Sequence, residues 1–122
     1  MCKIQIKNLT KYYGKKLVLN DVSLSVKEHE VVCLIGASGS GKSTLLRCIN
    51  SLVTIDGGDI KLDGVSIYDE SFGARKLYKK IGIVFQSYNL FPHLTVLENI
   101  TLAPRYVHKI PKDEYTENAH KL

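Results

Sequence analysis

The segment that most constrains this chain is residues 36–43, which fit the phosphate-binding pattern G-x-x-x-x-G-K-[ST] at every fixed position. The apolar run 31–35 before it is typical of a strand buried on both faces of a parallel sheet. After the loop, apolar residues recur at helical spacing: Leu45, Leu46, Ile49, Leu52 and Val53. The order of strand, glycine-rich loop and helix predicts a site for nucleotide phosphates rather than a flexible linker.

The residue types in the loop explain how it would hold phosphate. Gly36, Gly39 and Gly41 permit positive φ values and a close backbone approach, so that main-chain N–H groups can converge on an anion. The N-terminus of the following helix also favours negative charge. Lys42 can reach the β- and γ-phosphates, and the Ser43 hydroxyl is a suitable ligand for Mg²⁺. Further hydroxyl donors are available on Ser38, Ser40 and Thr44.

The composition excludes several classes of protein. The length of 122 residues suffices for one small domain with its own core. The formal charge of +5 is spread over dispersed lysines, densest at Lys15–Lys16 and Lys79–Lys80, without the concentrated basic face that nucleic-acid binding needs. No apolar run is long enough to span a bilayer and no signal peptide precedes the first strand, which predicts a cytoplasmic protein.

The three cysteines do not indicate a metal or redox site. Cys2, Cys33 and Cys48 show no C-x-x-C spacing. Because Cys33 falls in the predicted buried strand and Cys48 on the helix after the loop, we expect them to fill the core.

Several strands can be placed from alternation of apolar and polar residues. The first is a short strand over residues 4–9 and the second covers residues 22–26, with a turn-forming segment at 11–16 between them. The pair Asp63-Gly64 lies between two alternating stretches and predicts a two-residue hairpin. The compact apolar run 81–85 predicts a second core strand that ends at Gln86.

Helices are indicated in the rest of the chain. Residues 72–80 form a weak candidate because Gly73 interrupts them. Thr95 with Glu98 three residues later is a capping-box pattern that opens a short helix. Pro111 suits the first turn of a last helix, whose apolar face would contain Tyr115, Ala119 and Leu122.

With these segments in order, the chain resembles the N-terminal part of an ATP-binding-cassette (ABC) transporter ATPase, most similar to those of bacterial polar amino-acid uptake systems. The likeness runs from about Ile4 to the last residue. Besides the phosphate loop, its motifs are Asn8-Leu9-Thr10-Lys11, Tyr13-Gly14, Val18-Leu19, Asp21-Val22-Ser23-Leu24, Val84-Phe85-Gln86 and the stretch from Asn89 to Ile100.

The resemblance implies an α/β fold, a partial P-loop NTPase core with an N-terminal antiparallel β subdomain and the start of a helical subdomain. Residues 1–90 would be the partial nucleotide-binding core, with the β subdomain and the phosphate loop. Residues 91–122 would be the start of the helical subdomain, which is truncated.

The resemblance also implies roles for residues outside the loop. Tyr13 corresponds to the aromatic residue that stacks on adenine, with Tyr12 as a competing candidate, and Val18 borders the nucleotide. Such stacking contributes on the order of 1–3 kcal/mol. Gln86 matches the glutamine that approaches Mg²⁺ and the attacking water. Residues 88–100 resemble the surface on which membrane subunits dock, and we expect His93 there to be a packing or interface residue.

Two positions depart from the family pattern. His29 stands where the family usually has glycine, so we expect a distorted turn before residue 31. Ala37 replaces a common proline, which should loosen the first bend of the loop slightly.

The residues needed for ATP hydrolysis are missing from the sequence. The family supplies an Asp-Glu pair at the end of a later apolar strand, a signature sequence and a switch histidine. Here the run 31–35 leads into glycine and the run 81–85 into glutamine, and the other two motifs are also absent. We therefore expect a fragment of a longer ATPase that binds ATP without hydrolysing it, and whether the chain itself is an enzyme stays open. Because such a fragment would expose apolar sheet edges, we also expect it to self-associate.

The resemblance thus implies the ATP-binding subunit of an ABC importer, which couples ATP binding and hydrolysis to uptake of a polar amino acid. Its ligands would be ATP and Mg²⁺. Its partners would be the membrane-spanning permease subunits and, in the full-length form, a second copy of itself. It would lie in the cytoplasm, peripheral on the inner face of the membrane.

Two alternatives belong to other classes. One is a P-loop ATPase module without a transport role, such as a DNA-repair ATPase fragment or a small nucleotide kinase, although the lid arginines of such kinases are not evident. The other is a non-catalytic short form that sequesters ATP or a full-length subunit.

Overall fold

A computed structural model describes residues 2–122, apart from the side chain of Cys2. The chain divides into two compact units, one reaching to Leu77 and the other covering Tyr78–Leu122. This division precedes the subdomain boundary expected after residue 90, which stays a prediction.

The first unit is built on a four-stranded antiparallel sheet with the order β2-β1-β3-β4. Its strands are β1 (Cys2–Tyr13), β2 (Lys16–Lys27), β3 (Gly57–Leu62) and β4 (Val65–Ser66). The first two strands are longer than the sequence predicted, and only Gly14 and Lys15 form the turn between them. The hairpin between β3 and β4 is confirmed, since Asp63 and Gly64 have the positive φ values, 52° and 82°, of a two-residue turn.

Two helices accompany this sheet. Helix α1 (Lys42–Ile49) directly follows the phosphate loop and ends before Leu52 and Val53, which lie outside it. Helix α2 (Gly73–Lys80) begins at the glycine that weakened its prediction. The core consists of apolar residues from these elements and the segments between them: Ile6, Leu9, Leu19, Leu45, Cys48, Ile49, Ile60, Leu62, Ile67, Phe72 and Leu77 are buried. Burial of Cys48 confirms its predicted role.

The two apolar runs predicted as core strands are not strands. Residues 31–35 and 81–85 have no strand assignment, and Val31 and Ile35 are 90% and 96% exposed. The reason is physical: a strand needs a hydrogen-bonded neighbour, and among residues 2–122 neither run is paired in a sheet. The prediction that Cys33 fills the core is wrong for the same reason, because its side chain is exposed.

The second unit is mostly helical. It contains α3 (Val96–Ala103), a π-helical turn over Pro104–His108 and α4 (Lys112–His120). The capping box of α3 is confirmed: the Glu98 N–H donates to the Thr95 hydroxyl at 3.2 Å, and the Thr95 N–H donates to the Glu98 carboxylate at 2.7 Å. Pro111 lies just before α4, and Leu122, expected on its apolar face, is 95% exposed.

Across residues 2–122, none of the helices has the length and apolar character that crossing a membrane requires.

Candidate functional site

A cavity of about 220 Å³ in the first unit brings most of the predicted site residues together. It lies where the end of the β1–β2 hairpin faces the phosphate loop and the start of α1. Its lining contains seven residues predicted from the sequence, together with Lys16: Tyr13, Val18, Gly39, Gly41, Lys42, Ser43 and Thr44. One aromatic ring, two hydroxyl groups, two ammonium groups and glycine backbone therefore share one cavity.

Two of the three loop glycines have the positive φ that the motif permits. Gly39 and Gly41 have φ values of 80° and 94°, which a residue with a side chain rarely adopts. Gly36 does not have a positive φ, and a Cβ there would lie 2.8 Å from the Ser40 hydroxyl oxygen, which can rotate away. The Ser40 N–H donates to the Ala37 carbonyl at 3.2 Å and tightens this turn. The loop thus has the curled backbone of an anion-binding nest.

Lys42 is held against its own loop. Its ammonium group donates hydrogen bonds to the carbonyl oxygens of Gly36 and Ala37, each at 2.7 Å, and to the Ser40 hydroxyl at 3.1 Å. Three acceptors match the three donors of an ammonium group. The positive charge is therefore fixed at the loop, close to where an anion would enter.

The start of α1 strengthens the attraction for an anion. Gly41 is the N-cap and offers no side-chain cap, so the first N–H groups of the helix have no side-chain acceptor there. The first turn of α1 also contains no acidic residue. A phosphate would meet unneutralised helix N–H groups, the Lys42 ammonium and the hydroxyl groups of Ser43 and Thr44.

The remaining loop residues lie beside this cavity. Gly36 and Ser40 line a neighbouring cavity of about 450 Å³ together with residues of the apolar run 31–35. Ala37 and Ser38 are exposed on the loop. The structure thus places the whole predicted loop at one end of the sheet, with its second half facing Tyr13.

Tyr13 and Tyr12 are separated by the geometry of β1. Because side chains alternate along a strand, the two rings point to opposite faces, and Tyr13 is the one that lines the cavity. The Lys11 ammonium lies 5.2 Å from the centroid of the Tyr13 ring, and the ring is 45% exposed. These contacts favour Tyr13 over Tyr12 as the ring on which a base would stack.

The carboxylate of Asp56 also supports this end of β1. The Tyr12 N–H donates to Asp56 at 2.7 Å, and the buried Lys11 ammonium lies 3.5 Å from the same carboxylate. The N–H of Tyr12 and, more weakly, the charge of Lys11 hold the pKa of Asp56 below its usual value. The end of the strand that presents Tyr13 is therefore fixed by polar contacts with Asp56.

The other predicted functional residues lie in the second unit. Gln86 is exposed, and its role near Mg²⁺ stays a prediction. The segment expected to dock on membrane subunits contains an apolar groove of about 380 Å³ lined by Leu90, Phe91, Pro92, Leu94, Val96, Asn99 and Ile100. The His93 ring packs edge-on against Phe91 with centroids 5.8 Å apart, which fits the expected packing role. Among residues 2–122, no group of three His, Cys, Asp or Glu side chains could hold a metal.

Lys16 is the one cavity residue that the sequence did not single out. In the sequence it is half of a surface lysine pair. The signal that could have revealed it is its spacing of two residues from Val18, which places both side chains on one face of a strand.

Comparisons with known proteins show the family of this chain. The family described as ABC transporter matches residues 19–122. The glutamine transport ATP-binding protein GlnQ of Geobacillus stearothermophilus is 50% identical over 116 residues, which are 95% of this chain and 48% of that protein. The glutamate/aspartate import ATP-binding protein GltL of Escherichia coli is 45% identical over 119 residues, 98% of this chain and 49% of that protein.

Solved structures give the same result. The dimeric structure of MJ0796, a bacterial ABC transporter cassette, matches with a TM-score of 0.85 and 36% identity, covering 97% of this chain and 54% of that one. A post-hydrolysis state of MJ0796 bound to ADP and Pi matches with a TM-score of 0.83 and 34% identity, with the same coverage. The predicted fold class, a partial P-loop NTPase core, is confirmed. The chain spans about half the length of the relatives it matches.

Proposed function

Since the chain belongs to the ABC transporter family, as its sequence motifs predicted, we propose that it is the ATP-binding part of an amino-acid importer. In the complete protein, ATP binding and hydrolysis would drive uptake of a polar amino acid. The solute class is supported by the names of the relatives, which transport glutamine or import glutamate and aspartate.

The observation that carries the nucleotide proposal is the single cavity shared by Tyr13 and the phosphate loop. An aromatic face at one end and an anion-binding nest at the other fit a ligand with a base and a chain of phosphates. The β- and γ-phosphates would accept hydrogen bonds from the loop N–H groups. The Lys42 ammonium would exchange its contacts with the carbonyl oxygens of Gly36 and Ala37 for contacts with phosphate.

The residues also fit Mg²⁺, because the Ser43 hydroxyl is a hard oxygen ligand on the lining of the same cavity. When bound, the ion would neutralise charge on the β- and γ-phosphates. Ser43 would hold it from the loop, and we propose Gln86 as a second contact on the basis of its family motif. The N–H of Ser43, in the first turn of α1, would also donate to a phosphate.

Two protein partners are part of the proposal. The apolar groove between Leu90 and Ile100 would receive membrane-spanning permease subunits, which would place the protein at the cytoplasmic face of the membrane. A second copy would form the nucleotide-bound dimer, as supported by the dimeric structure of MJ0796. We further propose that the 122-residue chain self-associates through its exposed apolar run 31–35.

The 122-residue chain is proposed to bind ATP without turning it over. No apolar run in its sequence ends in Asp-Glu, the pair from which the family supplies the carboxylate for the attacking water, and none of the residues that line the cavity is Asp or Glu. A phosphate-release assay on this chain should therefore give the background rate. Turnover that disappears in Lys42→Ala would contradict the proposal.

The binding proposal is tested by titration calorimetry with Mg-ATP on the chain and on Lys42→Ala. Charge-assisted hydrogen bonds contribute about 1.5–3 kcal/mol, so Lys42→Ala should weaken binding about 10- to 100-fold. Lys79→Ala, which removes the same charge from the last turn of α2, is the matched control and should bind as the parent does. Equal affinities for all three proteins would refute the assignment of the loop.

A further inference from the structure

We propose that Lys16 is a second cationic contact for the nucleotide and binds its α-phosphate. The inference rests on the proposed function, because it assumes that the cavity holds a nucleotide. Lys16 lies outside the phosphate-binding pattern. It would contact the α-phosphate, whereas Lys42 would contact the β- and γ-phosphates.

The β1–β2 hairpin fixes the position of Lys16. Lys16 is the first residue of β2 and pairs directly with Tyr13 across the turn. Its side chain lies on the same face of β2 as that of Val18, since the two are separated by two residues. Both Lys16 and Val18 line the cavity that contains Tyr13 and the phosphate loop.

Val18 shows where Lys16 stands relative to the phosphates. A Cβ on Gly41 would lie 3.5 Å from the Val18 side chain, so Val18 touches the phosphate loop. Two residues along a strand span about 7 Å, which places Lys16 one step farther from the loop, beside Tyr13. A nucleotide with its base on Tyr13 and its last phosphates at Lys42 must cross Val18. The phosphate nearest the ribose then comes closest to Lys16.

The charge of Lys16 is not used elsewhere in the described part of the chain. Within residues 2–122, Lys16 makes no side-chain hydrogen bond or ion pair, and its side chain is exposed. The nearby Lys11 differs, because it is buried and lies 3.5 Å from the Asp56 carboxylate. Lys16 is therefore the cation at the Tyr13 end of the cavity that can meet a phosphate.

The neighbouring residue provides a matched control. Lys15 belongs to the turn, carries the same charge and is not among the residues that line the cavity. Lys15→Ala and Lys16→Ala therefore lower the net charge of the same hairpin equally. Only the second removes a cation that faces the ligand.

The test measures the affinities of ATP, AMP and adenosine for the 122-residue chain by competition with a fluorescent ATP analogue at low ionic strength. Lys16→Ala should lower the affinities for ATP and AMP about fivefold and leave the affinity for adenosine unchanged, as expected when one partly exposed charge contact is lost. Lys15→Ala should leave all three affinities unchanged, and Lys16→Arg should retain the parent affinity for AMP.

Equal losses in Lys15→Ala and Lys16→Ala would overturn the proposal, because they would reflect net charge alone. An equal loss for adenosine would also overturn it, since adenosine has no phosphate. Circular dichroism of each variant checks that the hairpin is folded, and the recovery of AMP binding in Lys16→Arg separates a lost contact from a lost fold. If ATP binding survives Lys42→Ala, the proposed function fails instead.

Discussion

Gly41 lies so close to Val18 that a methyl group on Gly41 would be 3.1 Å from the Val18 carbonyl oxygen and 3.0 Å from a methyl carbon of Leu19. The contact joins the phosphate loop to β2, the strand that also presents the Tyr13 end of the cavity through the hairpin. Glycine at this position therefore serves two purposes. It permits a φ of 94°, and it lets the loop rest on the sheet.

The contact predicts that Gly41→Ala damages both stability and binding. The left-handed conformation costs a side chain roughly 1–2 kcal/mol, and crowding against β2 costs about 1 kcal/mol or more. We expect the free energy of unfolding in urea to fall by about 2–3 kcal/mol and ATP affinity to fall at least about tenfold, because the loop must leave β2.

Gly39→Ala is the matched control for this experiment. Gly39 has a φ of 80°, but a Cβ there would have no heavy atom within 4 Å. Gly39→Ala should therefore lower the free energy of unfolding only by the cost of the left-handed conformation, about 1–2 kcal/mol. If the two variants lose equal stability, the contact between the loop and β2 has no energetic role.

The turn at His29 predicts a stabilising substitution. His29 has a φ of 62°, the left-handed conformation that glycine adopts without strain. The family usually has glycine at this position, so here a side chain is held in that conformation. The turn is fixed by the Glu30 carboxylate, which accepts the Lys27 N–H at 2.7 Å. His29→Gly removes the strain and should raise the free energy of unfolding by about 0.5–1 kcal/mol, after the greater chain entropy of glycine is subtracted.

Glu28→Gly distinguishes relief of strain from a general effect of glycine in this turn. Glu28 is not among the residues with positive φ, so the change brings only the entropic cost and should lower stability by about 0.5–1 kcal/mol. Urea unfolding of the two variants should therefore give shifts of opposite sign. Shifts of the same sign would show that the conformation of His29 carries no strain.

The sequence predicted the local features of this molecule well. The phosphate loop, the Asp63-Gly64 hairpin and the capping box at Thr95 each depend on residues within a few positions of one another, and each is present. Such features are set by backbone conformation and short-range hydrogen bonds. A single sequence contains all the information that they require.

The failures concern structure that depends on distant partners. Residues 31–35 have the apolar pattern of a buried strand, but the pattern alone supplies no neighbouring strand, and the run is not part of the sheet. The exposure of Cys33 follows from the same cause. Lys16 was missed because its role depends on the pairing of β1 with β2, which brings it to the cavity that the loop forms.

The capping box predicts how the stability of α3 depends on pH. The N–H and the hydroxyl of Thr95 donate to Glu98 and hold the pKa of its carboxyl below the ordinary value of 4.5. Because this pKa is lower in the folded state than in the unfolded state, ionised Glu98 stabilises the folded state. Its stabilisation is fully present above pH 4.5 and is lost as the pH falls through the pKa of the folded state. Amide-exchange protection of α3 should therefore decrease as the pH falls below 4.5.

Glu98→Gln isolates this titration, since glutamine preserves the capping pattern without an ionisable group. In that variant the protection factors of α3 should fall less steeply with acid than in the parent chain. NMR exchange measurements on both proteins give the comparison directly. Parallel pH profiles would mean that acid destabilises α3 through other carboxyl groups.

The exposed run 31–35 predicts the association behaviour of the chain. Val31 and Ile35 are 90% and 96% exposed, and their segment pairs with no strand of the sheet among the described residues. Such an edge can pair with the same segment of another copy. A lysine there places a charge on the pairing surface, so Val31→Lys should shift the chain toward monomer in sedimentation velocity at several concentrations.

Leu122→Lys provides the control, because Leu122 is 95% exposed and lies outside any apolar run. It adds the same charge and removes a comparable exposed side chain, so it should associate as the parent does. If both variants dissociate equally, net charge rather than strand pairing governs association. A parent chain that sediments as a monomer at every concentration would remove the basis for pairing through residues 31–35, whereas the nucleotide site, which is formed within one copy, would be unaffected.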